Sequence, residues 1–130
     1  MTEEDAKYDA FIEMMHSKYP KMFSEAYGGF CTGEGWWPII QTLCANIQDH
    51  INWKNRESHV VEQVVVHQIK EKFGGLRFYY GGGDDTIDGM VRMAEAIAGI
   101  TCETCGAPGK SRSGGWIRTL CDEHAQKPTN

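Results

Sequence analysis

Two pairs of metal-capable residues near the C-terminus constrain the fold of this chain more than any other sequence feature. Cys102 and Cys105 form a CxxC pair, and Cys121 and His124 form a CxxH pair after fifteen intervening residues. A CxxC pair places two sulfurs on one tight turn, and a second pair one loop away completes a tetrahedron around Zn²⁺. Three cysteines and one histidine leave no coordination position open, so the spacing predicts a structural rather than a catalytic zinc. The alternatives are coincidental spacing and an iron ion in the same ligand set.

The residues around these pairs predict a small zinc-binding subregion over residues 101–126. Gly114-Gly115 suits a turn, residues 116–120 favour a short strand, and Cys121 with His124 opens a short terminal helix. This predicted layout resembles a treble clef. Structural zinc supplies about 10–16 kcal/mol of apparent binding energy, so we expect the ion to decide whether the subregion folds.

The composition predicts one α+β domain over residues 1–130, with a helical and hairpin core over residues 1–100. The chain is 41% hydrophobic and 24% charged, as in an ordinary globular protein. No stretch approaches 18 consecutive apolar residues and the N-terminus is acidic and polar, which disfavours membrane anchoring and a secretory signal. Five cysteines, four metal-capable residues at metal spacing and no disulfide pattern indicate a reducing cytoplasm.

Apolar residues at helical spacing predict helices in the first half of the chain. Thr2 and Asp5 resemble a capping box, and Pro20 should end the helix that follows near Lys18. A short second helix is predicted over residues 22–27, closed by Gly28-Gly29, with a loop over residues 28–35. A longer helix should begin at Pro38 and bury a stripe consisting of Ile40, Leu43, Cys44, Ile47 and Ile51.

A third long helix is predicted after residue 84. Asp85 is the expected N-cap, with Asp88 at position N3, and Gly99 should end the helix. The stripe predicted to be buried consists of Ile87, Met90, Val91, Ala94, Ile97 and Ala98. Gly81-Gly82-Gly83 before it is expected to be a flexible exit from a strand.

A β-hairpin is predicted between these helices. Residues 60–73 are rich in β-branched side chains, residues 76–80 are aromatic, and Gly74-Gly75 suits a two-residue turn. That turn would place Phe73 opposite Leu76, and Lys70 opposite Tyr79. One face would then be apolar and inward, carrying Ile69, Glu71, Phe73, Leu76, Phe78 and Tyr80.

The opposite face of the hairpin is the candidate binding surface. Lys70, Lys72, Arg77 and Tyr79 lie on it, and bases beside an aromatic ring suit an anion or a nucleic acid. A solvated face with solubilising lysines is the alternative. Trp36 and Trp37 form a second candidate, an aromatic anchor for a partner, but coverage of the mouth of the core by one or both is the favoured interpretation.

The sequence contains no established catalytic motif. Glu71 stands out as a carboxylate on the apolar face, for which a position near the hairpin end or an ion pair is the simplest explanation. A metal or acid–base cluster of His67, Glu71 and Asp84 or Asp85 is conceivable, and it would support a small hydrolase.

The string QIKEKFGGLRFY at residues 68–79 resembles a motif of a family of small phage and prophage proteins that contain zinc. GWWPII at residues 35–40, CETCGAPG at residues 102–109 and GWIRTLCDEH at residues 115–124 strengthen the resemblance, which covers most of residues 35–125. The resemblance implies a phage accessory protein acting in a bacterial cytoplasm. Such proteins often bind and block host machinery, including CRISPR-like defence complexes, but the family supplies no activity for individual residues.

Three functions follow as hypotheses. The first is an inhibitor that binds a host protein, since a net charge of −5 favours a basic partner. The second is a nucleic-acid-binding module using the basic hairpin face, which the net charge disfavours. The third is the small hydrolase.

Overall fold

The protein forms a mixed α+β fold, as predicted from its sequence. The structure is a computed structural model that describes residues 2–24 and 29–126. Its helices are α1 (Glu3–Lys18), α2 (Trp37–Lys54), α3 (Asp85–Ala98) and α4 (Asp122–Gln126); its strands are β1 (Phe30–Cys31), β2 (Glu62–Lys72), β3 (Gly75–Gly83), β4 (Lys110–Arg112) and β5 (Arg118–Leu120). A three-stranded sheet has the order β1-β2-β3, and β4 pairs with β5 in a second, two-stranded sheet.

The N-terminal helix follows its sequence signals closely. Thr2 caps α1 through a capping box with Asp5, and the helix ends at Lys18, before Pro20. Phe11, Met15 and Tyr19 bury their side chains in the main core. The predicted helix over residues 22–27 is replaced by a turn as far as Phe23. Residues 25–28 lie outside the described residues.

The predicted loop over residues 28–35 contains a strand that the sequence pattern did not reveal. Phe30 and Cys31 run parallel to β2, opposite Ile69 and Lys70. Two residues are too few to show an alternating pattern. The burial of Phe30 against the ring of Phe11, with centroids 5.5 Å apart, accounts for the position of β1.

The hairpin turn lies one residue earlier than predicted. Phe73 and Gly74 are the central residues, with φ of +53° and +80°, as a tight hairpin turn of type I′ requires. Lys72 therefore pairs with Gly75, and Lys70 pairs with Arg77 rather than with Tyr79. Each partner moves by two positions, so every paired side chain keeps its predicted face. Phe73 is the exception, because it occupies the turn and is exposed instead of facing the core.

The three glycines after the aromatic strand belong to β3 and are not a flexible exit. β3 continues to Gly83, and its pairing with β2 shifts register near Glu62 and again near Val66. A Cβ atom at Gly82 would lie 2.3 Å from the carbonyl oxygen of Gln63. The strands approach so closely here that a side chain would clash.

Helices α2 and α3 cover the sheet. The five residues of the predicted α2 stripe are all buried. Asp84, and not Asp85, caps α3: its Oδ1 accepts a hydrogen bond from the backbone N–H of Ile87 at 3.0 Å. Its Oδ2 lies 2.8 Å from Nε2 of His50 on α2, which fixes the cap one residue earlier than predicted.

The buried stripe of α3 is narrower than predicted. Ile87, Val91, Ala94 and Ala98 are buried, whereas Met90 is half-buried and Ile97 is exposed. The two outer residues flank a groove between α2 and α3 instead of lying in the core.

Candidate metal centre

The four predicted ligands come from three neighbouring elements. Cys102 and Cys105 lie on the tight turn that follows α3, Cys121 directly follows β5, and His124 lies on α4. The β4–β5 hairpin joins the two pairs, although β5 begins at Arg118 rather than at the predicted residue 116. The local order of turn, hairpin and short helix brings the second pair back onto the first.

The ligand atoms are close enough to hold one ion. One ligand atom from each of the four residues lies within 4.8 Å of all the others. Sγ of Cys105 is 3.8 Å from Sγ of Cys121, and Nδ1 of His124 is 3.7 Å from Sγ of Cys102 and 3.1 Å from Sγ of Cys121. A tetrahedral zinc with bonds of about 2.3 Å to sulfur and about 2.0–2.1 Å to nitrogen separates sulfur pairs by about 3.8 Å and sulfur from nitrogen by about 3.6 Å. The Cys105–Cys121 and Cys102–His124 separations match these values, the Cys121–His124 separation is shorter, and the four side chains are close enough together to bind a metal ion.

The backbone of the turn favours a thiolate at its first cysteine. Burial raises the pKa of the Cys102 thiol, but hydrogen bonds from the backbone of Cys121, Cys105 and Thr104 outweigh this effect and lower the pKa to about 6. The thiol of Cys105 has a raised pKa: a backbone hydrogen bond from Ala107 lowers it, but burial and the neighbouring sulfurs have the greater effect. A bound metal cation favours deprotonation of both thiols, because cysteine binds a metal as the thiolate.

The turn that carries Cys102 and Cys105, the candidate metal-binding turn, is joined to the main core by several hydrogen bonds. The backbone N–H of Gly35 donates to the carbonyl of Glu103 at 2.8 Å, and the N–H of Gly33 donates to Oε2 of Glu103 at 2.8 Å. Nε1 of Trp36 donates to the carbonyl of Thr101 at 2.9 Å. Burial raises the pKa of the Glu103 carboxyl, while the N–H of Gly33 lowers it. These hydrogen bonds hold the turn against residues 33–36, although its own apolar residues form a separate cluster with Leu120 and Cys121.

The hairpin turn also rests on this subregion. Oγ1 of Thr119 donates to the carbonyl of Gly74 at 2.6 Å, and the carbonyl of Thr119 accepts from the backbone N–H of Glu103 at 3.0 Å. Glu71 caps the same turn, since its Oε2 accepts from the N–H of Gly74 at 2.7 Å. The carboxylate that stood out in the sequence therefore has a structural partner near the hairpin end.

The predicted catalytic cluster does not form. Among residues 2–24 and 29–126, only the three cysteines with His124 bring three or more metal-capable side chains together. Asp84 pairs with His50 of α2, as described above, and His67 is exposed at a register shift of β2.

The two tryptophans proposed as an anchor belong to the core region. Trp36 is fully buried, which leaves no ring surface for a partner. Trp37 is half-buried and its ring stacks on that of Phe11, with centroids 4.6 Å apart. The anchor interpretation is therefore wrong for Trp36, because its indole N–H is committed to the metal-binding turn.

The predicted basic residues do share one hairpin face. Lys70 and Arg77 lie directly opposite each other, and Gln68 lies opposite Tyr79. Arg77, Lys72 and Tyr79 are exposed and Lys70 is half-buried. Nζ of Lys70 lies 5.8 Å from the centre of the Tyr79 ring.

An apolar groove that the sequence pattern did not reveal lies between α2 and α3. It has a volume of about 600 Å³ and no charged residue lines it; the lining residues are Pro38, Ile39, Thr42, Leu43, Asn46, Gly89, Met90, Met93, Ala94 and Ile97. Met93 is 63% exposed. Met93 lies outside the predicted buried stripe and three residues after Met90, and this position was the sequence signal for an exposed apolar surface on α3.

Comparison with known proteins gives no match to a protein family, to a curated protein or to a solved structure. None of the helices in the described part of the chain is both long and apolar enough to cross a bilayer.

Proposed function

We propose that this chain is a binding protein whose fold is held together by structural zinc, and that it acts by docking another protein in the α2–α3 groove. The ion would be held by Cys102, Cys105, Cys121 and His124 in a treble-clef-like arrangement. A closed set of four protein ligands offers the ion no free position for a substrate, so zinc would supply stability.

The observation that carries the protein-binding role is the uncharged groove. A volume of about 600 Å³ lies in the usual range for binding pockets, but this depression is open along two helices rather than enclosed. Two methionines line it, and flexible thioether side chains adapt to the contour of a partner. An elongated, uncharged groove between two helices suits the apolar face of a third helix, which is the occupant we propose.

Gly89 of α3 supports the proposal that the groove binds a protein. It lies inside α3, where glycine costs about 1 kcal/mol relative to alanine, and a Cβ atom there would meet nothing within 4 Å. Packing within the chain therefore does not require glycine at this position. Its missing side chain widens the groove.

The resemblance to small phage and prophage proteins supplies the proposed context. In that context the partner is a host protein in a bacterial cytoplasm, where reduced thiols remain available for zinc, and a defence complex of the CRISPR type is the leading example. Binding would inhibit the host protein by occupying a surface that it needs.

The test compares three immobilised, zinc-loaded proteins exposed to a bacterial lysate. Met93→Asp places a negative charge in the groove. Val60→Asp places the same charge at an apolar loop residue of nearly equal exposure, 62% for Val60 against 63% for Met93. We expect the wild type and Val60→Asp to retain the same host protein from the lysate, and we expect Met93→Asp not to retain it. Slower hydrogen exchange in α2 and α3 within the purified complex would place the partner in the groove.

Two results would contradict the proposal. One is retention of the same proteins by the wild type and by Met93→Asp. The other is a self-associated wild type, measured by light scattering, that Met93→Asp converts to a monomer, because the groove would then be occupied by a second copy.

A further inference from the structure

We propose that the outer face of the β2–β3 hairpin, continued around its tip, is a binding site for single-stranded nucleic acid. This site is separate from the α2–α3 groove and does not depend on protein binding there. Its cations are Lys70, Lys72 and Arg77, and its exposed aromatic rings are Tyr79, Phe73 and Trp116.

The first observation is an uncompensated pair of like charges. Lys70 and Arg77 lie directly opposite each other in the antiparallel ladder. Like charges at directly opposite positions destabilise a sheet. Neither residue forms an ion pair in the part of the chain that the structure describes. The contact of Lys70 with the Tyr79 ring does not remove the repulsion, whereas a phosphate between the two cationic side chains would neutralise it.

The second observation is that, among the described residues, the part of this face between Gln68 and the hairpin tip carries no acid. Alternation along β2 and β3 places Gln68, Lys70 and Lys72 beside Arg77 and Tyr79. Glu71 points to the opposite face, and its carboxylate is engaged by the N–H of Gly74. This part of the face is therefore locally positive, although the whole chain has a net charge of −5.

The third observation is the convergence of exposed aromatic rings at the hairpin tip. Phe73 is 69% exposed and Trp116 is 79% exposed, and both line one depression of about 370 Å³ that Lys72 and Glu71 also border. The Glu71 carboxylate accepts a hydrogen bond there from the N–H of Gly74. Lys72 thus connects the outer face, where Tyr79 lies, with the tip. Phe73 adopts a left-handed backbone conformation that is costly for an aromatic residue, and its ring nevertheless stays mostly exposed.

Cations interleaved with exposed aromatic rings suit single strands better than duplexes. Unpaired bases stack on aromatic side chains while lysine and arginine contact the phosphates. Three cations are too few to hold a duplex through its backbone alone, so stacking must contribute. We therefore expect a preference for single-stranded DNA or RNA over a duplex of the same sequence.

The test measures fluorescence anisotropy of a labelled oligothymidine of about 15 nucleotides, at low salt and across a salt titration. Arg77→Glu should weaken binding at least tenfold, and Arg92→Glu, the same change at an exposed residue of α3, should leave it within about twofold. Tyr79→Ala and Trp116→Ala should each weaken binding about tenfold, as expected for the loss of one stacked base.

Thermal unfolding provides the readout that separates binding from folding. Arg77→Glu places a carboxylate opposite Lys70, so its melting temperature should equal or exceed that of the wild type while its affinity falls. The proposal is overturned if the wild type does not bind at low salt, or if Arg92→Glu weakens binding as much as Arg77→Glu. It is also overturned if the duplex binds as tightly as the single strand and the aromatic variants bind normally, because the surface would then attract polyanions in general.

Discussion

The close approach of Gly35 to the metal-binding turn allows a steric test of how that turn is joined to the core. A Cβ atom at Gly35 would lie 2.2 Å from the carbonyl oxygen of Cys102 and 2.6 Å from that of Glu103, against 3.4–4 Å for ordinary contact. These atoms belong to the backbone, so the turn itself must retreat by more than 1 Å. Gly35→Ala should therefore separate the metal-binding turn from the core.

The expected loss of stability follows from the contacts that such a shift breaks. Overpacking costs about 1–3 kcal/mol. The hydrogen bond from Gly35 to the Glu103 carbonyl contributes about 1 kcal/mol, and the one from Gly33 to the Glu103 carboxylate contributes about 1.5–3 kcal/mol when the carboxylate is charged. These effects overlap, so we expect a total of roughly 3–5 kcal/mol.

Urea unfolding of the zinc-loaded proteins measures this loss. The midpoint of Gly35→Ala should fall by about 2 M relative to the wild type. Gly89→Ala is the matched control, because its new methyl group meets nothing within 4 Å and alanine favours the helix. It should gain about 0.5–1 kcal/mol. A midpoint for Gly35→Ala within about 0.3 M of the wild type would refute the proposed contact.

Three further predictions concern the helix cap, the buried indole and the cysteines. Asp84→Ala should cost about 1 kcal/mol in urea unfolding. The hydrogen bond with His50 lowers the pKa of the Asp84 carboxyl, so its stabilisation is present above pH 3.8 and is lost as the pH falls through the lowered pKa. Asp84→Asn, which keeps a capping side chain, should therefore differ from the wild type at pH 7 and converge on it in acid; a pH-independent difference would contradict this. Trp36→Phe removes the indole donor to the half-buried carbonyl of Thr101 and should cost about 1–3 kcal/mol, measured in the same way. Cys102→Ser should lower the zinc content measured by elemental analysis, whereas Cys44→Ala should keep it, because Cys44 lies in the main core away from the cluster.

The sequence was most informative where one local rule acts alone. Thr2 and Asp5 predict the start of α1, and the two Cys/His pairs predict which residues converge, because capping geometry and ligand spacing are set within a few residues. The alternation along β2 and β3 also predicts the two hairpin faces correctly for every paired residue, although the predicted turn was one residue late and Phe73 lies in the turn.

Features that depend on tertiary contacts could not be predicted in this way. Gly74-Gly75 and Phe73-Gly74 are both possible turns, and the support that Thr119 gives the carbonyl of Gly74 is not visible in a local pattern. The N-cap of α3 depends on His50, which lies 34 residues before Asp84. The groove is the space left between two helices, so only their packing reveals it.

The claim that zinc holds the fold together is tested most directly by measuring the zinc content and the tertiary structure of the same protein sample. Elemental analysis of the purified chain should find one zinc per molecule, and a chelator strong enough to remove it should abolish the near-ultraviolet circular dichroism of the buried aromatic residues. Adding Zn²⁺ back should restore that signal. A metal-free protein with the same near-ultraviolet spectrum and the same urea midpoint as the zinc-loaded protein would contradict the account.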